Sequence, residues 1–245
     1  MMAGYVQAID GERLMAISRE QDVSIRLHVR PGEFVRTGTV LMTVSTASFT
    51  GDWQDGPLQN VVIIGVERTG TQDIEFFINQ LVELAVRALS PGINDPATAR
   101  SCIDRLEEAL CDLASRRFPS AVRYDPDHTV RVVACPLTFA TLVEIAFDEI
   151  GRYGQSSVSV TCRLLEAVGN ISACVRRDAD RRSLSEQAAA IADRSRRAEM
   201  ATCDRVRIET WFDAARVALG DGKEPSRQHG ASDRSHACRA SRDES

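Results

Sequence analysis

Arg87-Ala88-Leu89-Ser90-Pro91-Gly92-Ile93-Asn94-Asp95-Pro96-Ala97-Thr98-Ala99 stops one helix and starts another within a single tight turn. Proline cannot continue a helix and glycine accepts a left-handed backbone, so Ser90-Pro91-Gly92 is expected to end the first helix, with Gly92 left-handed. Asn94-Asp95-Pro96 is expected to open the second, with Asp95 as N-cap and Pro96 at the first helical position. Upstream, Thr69 and Gln72 have the form of a capping box. Ile74, Phe77, Ile78, Leu81, Ala85, Ala88 and Leu89 then fall on one helical face, with Glu75, Asn79, Glu83 and Arg87 on another. Downstream the stripe is Ala99, Cys102, Ile103, Leu106, Leu110 and Leu113. Glu67 to Phe118 therefore reads as helix–tight turn–helix.

Working outward, the period changes from 3.6 to 2 on the N-terminal side. Tyr5–Ile9, Arg13–Ile17, Val23–Val29 and Thr39–Val44 read as strands, with turns at Asp10-Gly11 and at Arg30-Pro31-Gly32-Glu33. The run from Pro31 to Leu41 looks like half of a biotinyl- or lipoyl-type sandwich, and a plain antiparallel module is the other reading. Leu58–Val66 reads as a short helix. Beyond the central segment, a hairpin is expected from Ala121–Tyr124 and Val130–Ala134, turning at Asp125–His128. Three helices follow, Thr138–Tyr153, Ser156–Arg177 and a long one from Ser183 to Leu219. The whole is an α+β chain: a small antiparallel, barrel-sandwich-like β-module over 1–50, a linker over 51–57, a mainly helical domain with a short hairpin over 58–219, and a disordered tail over 220–245.

Composition excludes several chemistries. Of the 30 Lys and Arg residues only Lys223 is lysine, and it lies in the polar tail. A phosphate-binding P-loop, Schiff-base catalysis and biotin or lipoate attachment all need a lysine in the folded body. The seven cysteines form no C-x-x-C pair, an odd, scattered set that suits a reducing compartment. His28, His128, His229 and His236 make no H-x-x-x-H pair, so no metal site is read. A net charge of -5 gives no electrostatic footprint for nucleic acid. No apolar run approaches the ~18 residues of a membrane span, and no signal peptide is evident. The chain as encoded is expected to be cytoplasmic, with no cofactor.

Glu67-Arg68-Thr69, Gln72-Asp73, Gln80-Leu81-Val82 and above all Arg87 to Ala99 resemble the signature of domain-of-unknown-function family 2254. Gly4 to Asp10 and Arg30 to Val35 resemble the β-region that precedes it. The resemblance covers about residues 4 to 218. It implies a bacterial family of predicted membrane proteins, with membrane spans N-terminal to this region and no established activity. The sequence starts where the soluble part of such proteins starts, as a truncated gene model, a split gene or a degraded copy would.

Arg68, Asp73, Arg87, Asn94 and Asp95 form the candidate polar cluster. They either converge on a ligand or partner, or cap helices and brace the turn. Asp73 and Arg87 are 14 residues apart, ~21 Å along a straight helix, which favours capping. No catalytic residue is assigned. Ser90 lacks a nucleophile-elbow setting and a nearby histidine. Two functions remain open: a ligand-sensing or protein-interaction module of a membrane-protein family, and a hydrolase-like enzyme using the acidic and arginine residues around Ser90–Pro96. The long last helix suggests a second copy of the chain as partner, and the family resemblance suggests a membrane-embedded one.

Overall fold

The computed structural model describes residues 3–46 and 56–220. Most of the linker expected over 51–57, and the tail beyond Gly220, lie outside the described residues. The described chain is α+β, with seven strands in two small sheets and seven α-helices.

The first sheet is antiparallel, with strand β1 (Gly4–Ile9) between β3 (Phe34–Val35) and β5 (Val62–Gly65). The second has the order β4 (Met42–Ser45), β2 (Ser24–Leu27), β7 (Val130–Val133), β6 (Val122–Tyr124). The expected hairpin is thus β6–β7, with Asp125 holding the turn through a bond from Thr129 N at 2.8 Å. It does not stand alone. β7 runs parallel to β2, with Ile25 opposite Val132, so strands from distant parts of the sequence share one sheet.

Two N-terminal expectations are corrected. Residues 13–17 belong to helix α1 (Gly11–Glu20), not to a strand. Asp10 is its N-cap and accepts from Arg13 N at 2.9 Å, and Leu14, Ile17 and Ser18 are buried at helical spacing. The helix expected over 58–66 is a 3₁₀ turn, Gly56–Leu58, followed by strand β5. The β-branched run Val61-Val62-Ile63-Ile64 suits a pleated surface better than a helix.

The helices are α2 (Ile74–Ala88), α3 (Pro96–Ser115), α4 (Phe139–Tyr153), α5 (Val158–Ser172), α6 (Asp178–Arg197) and α7 (Thr202–Leu219). The expected single helix from Ser183 to Leu219 is therefore two. The chain leaves α6 at Ala198 in an extended conformation. Arg205 closes the break by donating to the carbonyls of Arg196 at 2.9 Å and Ala198 at 3.1 Å, satisfying acceptors that a helix end leaves open. No proline or glycine marks the site. The inference of a partner from one long helix loses its footing, because α6 and α7 pack against each other.

The helices share one core, in which Phe139, Phe147, Leu106, Leu110, Leu164 and Leu165 are fully buried. A smaller core under α1 joins Leu14, Ile17, Val23, Ile25, Leu27 and Val132. α2 splits the apolar face read from its sequence. Of that face Ile78, Ala85 and Ala88 are buried, together with Val82 outside it, whereas Ile74 and Phe77 are 38% and 55% exposed, as is Leu84 at 46%.

β2 alternates strictly, with Ile25 and Leu27 inward and Arg26 outward. Ile25→Ala is expected to lower the unfolding free energy by about 2–5 kcal/mol, and Arg26→Ala by at most about 0.5 kcal/mol. Urea denaturation of the two variants checks the register of the parallel join.

Candidate functional site

The five candidate residues separate to opposite ends of α2. Arg68 and Asp73 meet at its N-terminus. Arg68 donates through Nε to Asp73 Oδ2 at 2.5 Å and through Nη2 to Oδ1 at 3.2 Å, a two-pronged guanidinium–carboxylate clasp. Asp73 is also the N-cap of α2, accepting from Phe76 N at 3.2 Å. Thr69 and Gln72 therefore do not form the expected capping box. Asp73, next in the chain, takes the cap, and its hydrogen bond raises the Arg68 pKa. Glu75 extends the cluster, lying 3.5 Å from Arg68 Nη2 and 2.8 Å from Arg30 Nη2. The second of these is a charge contact without the alignment of a hydrogen bond.

Gly32 lies beneath this clasp. Its φ is +90°, and a Cβ there would sit 2.3 Å from Asp73 Oδ2. The position therefore requires glycine on both backbone and steric grounds. Gln72 makes a reciprocal pair with the backbone of Ile9, accepting from its N–H at 3.0 Å and donating to its carbonyl at 3.4 Å. Gln7 Nε2 donates to Glu67 O at 2.8 Å. The segment before α2 is thus fastened to β1 by side chains acting on backbone groups.

Arg87, Asn94 and Asp95 lie at the other end, ~21 Å away along the helix. Asp95 is the N-cap of α3, accepting from Ala97 N and Thr98 N at 3.1 Å each and from Thr98 Oγ1 at 2.5 Å. The Thr98 bonds lower its pKa. Ser90 Oγ donates to Arg87 O at 2.7 Å. Asn94, with φ 47°, holds the left-handed position expected of Gly92. Arg87 is exposed, and its side chain has no hydrogen-bonding or ionic partner among the described residues. None of the four principal cavities among the described residues is lined by Arg87, Asn94 or Asp95.

A cleft of about 810 Å³ lies between α1 and the second sheet. α1 contributes Glu12, Met15, Ala16 and Arg19; the second sheet contributes Leu27, Arg123 and Val132. Ile9, Arg30, Pro31, Gln72 and Cys135 complete one end, and all of these but Ile9 also line a small cavity of about 140 Å³ that reaches Asp73 and Glu75. The walls are mainly apolar and the polar groups are few, as in small-molecule sites. Sequence reading missed the cleft because one wall was read as a strand. The overlooked signal was Asp10 followed by Leu14, Ile17 and Ser18 at helical spacing. Among the described residues no group of three His, Cys, Asp or Glu side chains is arranged to hold a metal ion.

Because the folded Asp95 pKa lies below its unfolded value, its stabilising contribution is complete above the ordinary carboxylate range, ~4. That contribution is lost as pH falls through the folded value. The melting temperature of Asp95→Ala is therefore expected to lie below that of the parent at pH 6 and to converge on it towards pH 3 in differential scanning calorimetry.

No helix among the described residues is long and apolar enough to cross a membrane. No solved structure matches the chain. It is 30% identical over 175 residues to uncharacterized proteins of Mycobacterium bovis (Mb1321c) and Mycobacterium tuberculosis (Rv1290c). The matched region is 69% of this chain and 33% of each relative, so the chain spans about a third of the length of the curated relatives it matches. Residues 2–170 match the model of a family described as predicted membrane proteins, and the chain belongs to that family, DUF2254.

Proposed function

We propose that this chain is a ligand-sensing module within its family of predicted membrane proteins. The observation that carries the reading is the cleft of about 810 Å³ between α1 and the second sheet, a volume within the ~300–1,000 Å³ typical of small-molecule sites. Its wall at Gln72 adjoins Asp73, the residue that caps α2. A ligand pressing on the Gln72–Ile9 pair therefore acts next to the contact that joins the strands to the helices. That placement suits a sensor, in which occupancy must bias the arrangement of two elements.

Enzymatic use of the Ser90–Pro96 turn has less support. Both Asp95 oxygens accept hydrogen bonds at the start of α3, and Arg87 has no carboxylate partner among the described residues. A second non-enzymatic reading, self-association, is favoured by the exposed row of Ile74, Phe77 and Leu84 on α2. Single exposed apolar residues are ordinary, whereas an aligned row supports a contact surface.

Two measurements test these readings. An uncharged apolar fluorescent probe such as N-phenyl-1-naphthylamine is expected to bind the full chain saturably at one site. Filling the cleft by Ala16→Trp is expected to abolish that binding with little change in melting temperature; unsaturable binding that Ala16→Trp leaves intact overturns the sensor reading. For self-association, light scattering is expected to give a dimer mass that returns to the monomer value in Phe77→Glu. A monomer at all accessible concentrations overturns it.

A further inference from the structure

We infer that the cleft takes an amphipathic anion, an apolar acyl chain joined to one negatively charged head group. This inference rests on the ligand-binding reading of the cleft and adds the chemistry of what fills it. The chain carries a net charge of -5, yet the cleft is lined by three arginines against one glutamate. Arg30 is held by Glu33 and Glu75. Arg19 and Arg123 have no ionic or hydrogen-bonding side-chain partner among the described residues. Glu12 does not neutralise Arg19. The two lie seven residues apart on α1, ~10 Å along its axis, so the acidic and basic ends of this wall are separate.

Arg123 reaches the cleft by strand register. It is the cross-strand partner of Val132, and partners in a ladder share a face. Val132 belongs to the small core under α1, so Arg123 projects from the face that α1 covers. Two unpartnered arginines therefore line one cleft from two elements, with Met15, Ala16, Leu27 and Val132 among its apolar lining. A guanidinium binds a carboxylate or phosphate through paired N–H donors, and an aliphatic chain is the matching occupant of the apolar walls. The same chemistry is presented by a free acyl carboxylate and by an anionic membrane lipid.

The experiment uses the full chain and the displacement of the uncharged probe N-phenyl-1-naphthylamine, which makes no use of the arginines. Decanoate is expected to displace it, with affinity rising roughly fourfold per added methylene from octanoate upward. Decanol is expected to bind about tenfold more weakly and decyltrimethylammonium not at all. Arg19→Gln with Arg123→Gln is expected to lower decanoate affinity about tenfold and leave decanol affinity unchanged. Equal binding of decanoate and decanol, with no effect of the double variant, overturns the anionic-ligand inference while leaving the cleft a binding site. Failure of every amphiphile to displace the probe, with Ala16→Trp also without effect, overturns both. Vesicles with and without phosphatidylglycerol distinguish the sources. Binding to the anionic vesicles that Ala16→Trp abolishes supports a membrane lipid as the ligand; vesicle binding that survives Ala16→Trp, with no binding of decanoate, overturns the cleft as the anion site.

Discussion

One carboxylate ties the strands to the helices. Asp73 is only 3% exposed, and a charge removed from water is costly unless hydrogen bonds and an opposite charge replace its hydration. The fold supplies both, through Arg68 on one side and the Phe76 amide at the start of α2 on the other. The Pro31-Gly32 turn of the β-region presses against the same oxygens, with only hydrogen on the facing carbon. Three segments converge on this one group, so α2 cannot shift without disturbing the turn and the Arg68 segment that follows β5. From there the alternating charges of Arg68, Glu75, Arg30 and Glu33 continue the connection across the surface.

This arrangement accounts for the wording of the sequence around residues 67–73. Arg68, Gln72 and Asp73 act on neighbouring backbone and on each other, and the Ser90–Pro96 turn is closed by its own backbone and by Asp95. The Ser90–Pro96 turn was legible as capping chemistry because its signals are local, whereas Asp73 rather than a Thr69–Gln72 box caps α2, and the Gln72–Ile9 pair joins distant parts of the sequence. Asp95-Pro96 specifies a helix start by itself, and the spacing of Cys102, Ile103, Leu106 and Leu110 specifies the face that α3 buries. The hairpin at Asp125–His128 was legible for the same reason.

What escaped the sequence is non-local or lacks a distinctive residue. Nothing near Val132 announces that it pairs with a strand a hundred residues earlier. The break between α6 and α7 contains no proline or glycine, and the Arg205 side chain that stabilises it reaches back from the following helix. On α2, local periodicity grouped Phe77 with Ile78, and only the positions of α3 and α4 decide which of them is covered. The assignment of left-handed backbone to Gly92 followed residue preference, whereas the bonds from Ile93 N and Asn94 N to Ser90 O place that conformation on Asn94. The cleft is the compound case. Its walls come from residues 9–31, Gln72 and 119–135, and one of them is a helix in a region dominated by strand-like alternation.

The parallel pairing of Ile25 with Val132 also constrains when the protein can form. The partner strand is 107 positions downstream, and ribosomes add ~5–20 residues per second, so β2 waits roughly 5–20 s after its own synthesis for β7 to exist. Local helices complete themselves in far less time, and closing so large a loop is intrinsically slow. Throughout that interval β2 has an unpaired edge, open to pairing with another nascent chain. The exposed Arg26 on that strand, and His28 just past its end, place polar groups beside this temporary edge, where charge and polarity disfavour pairing between nascent chains.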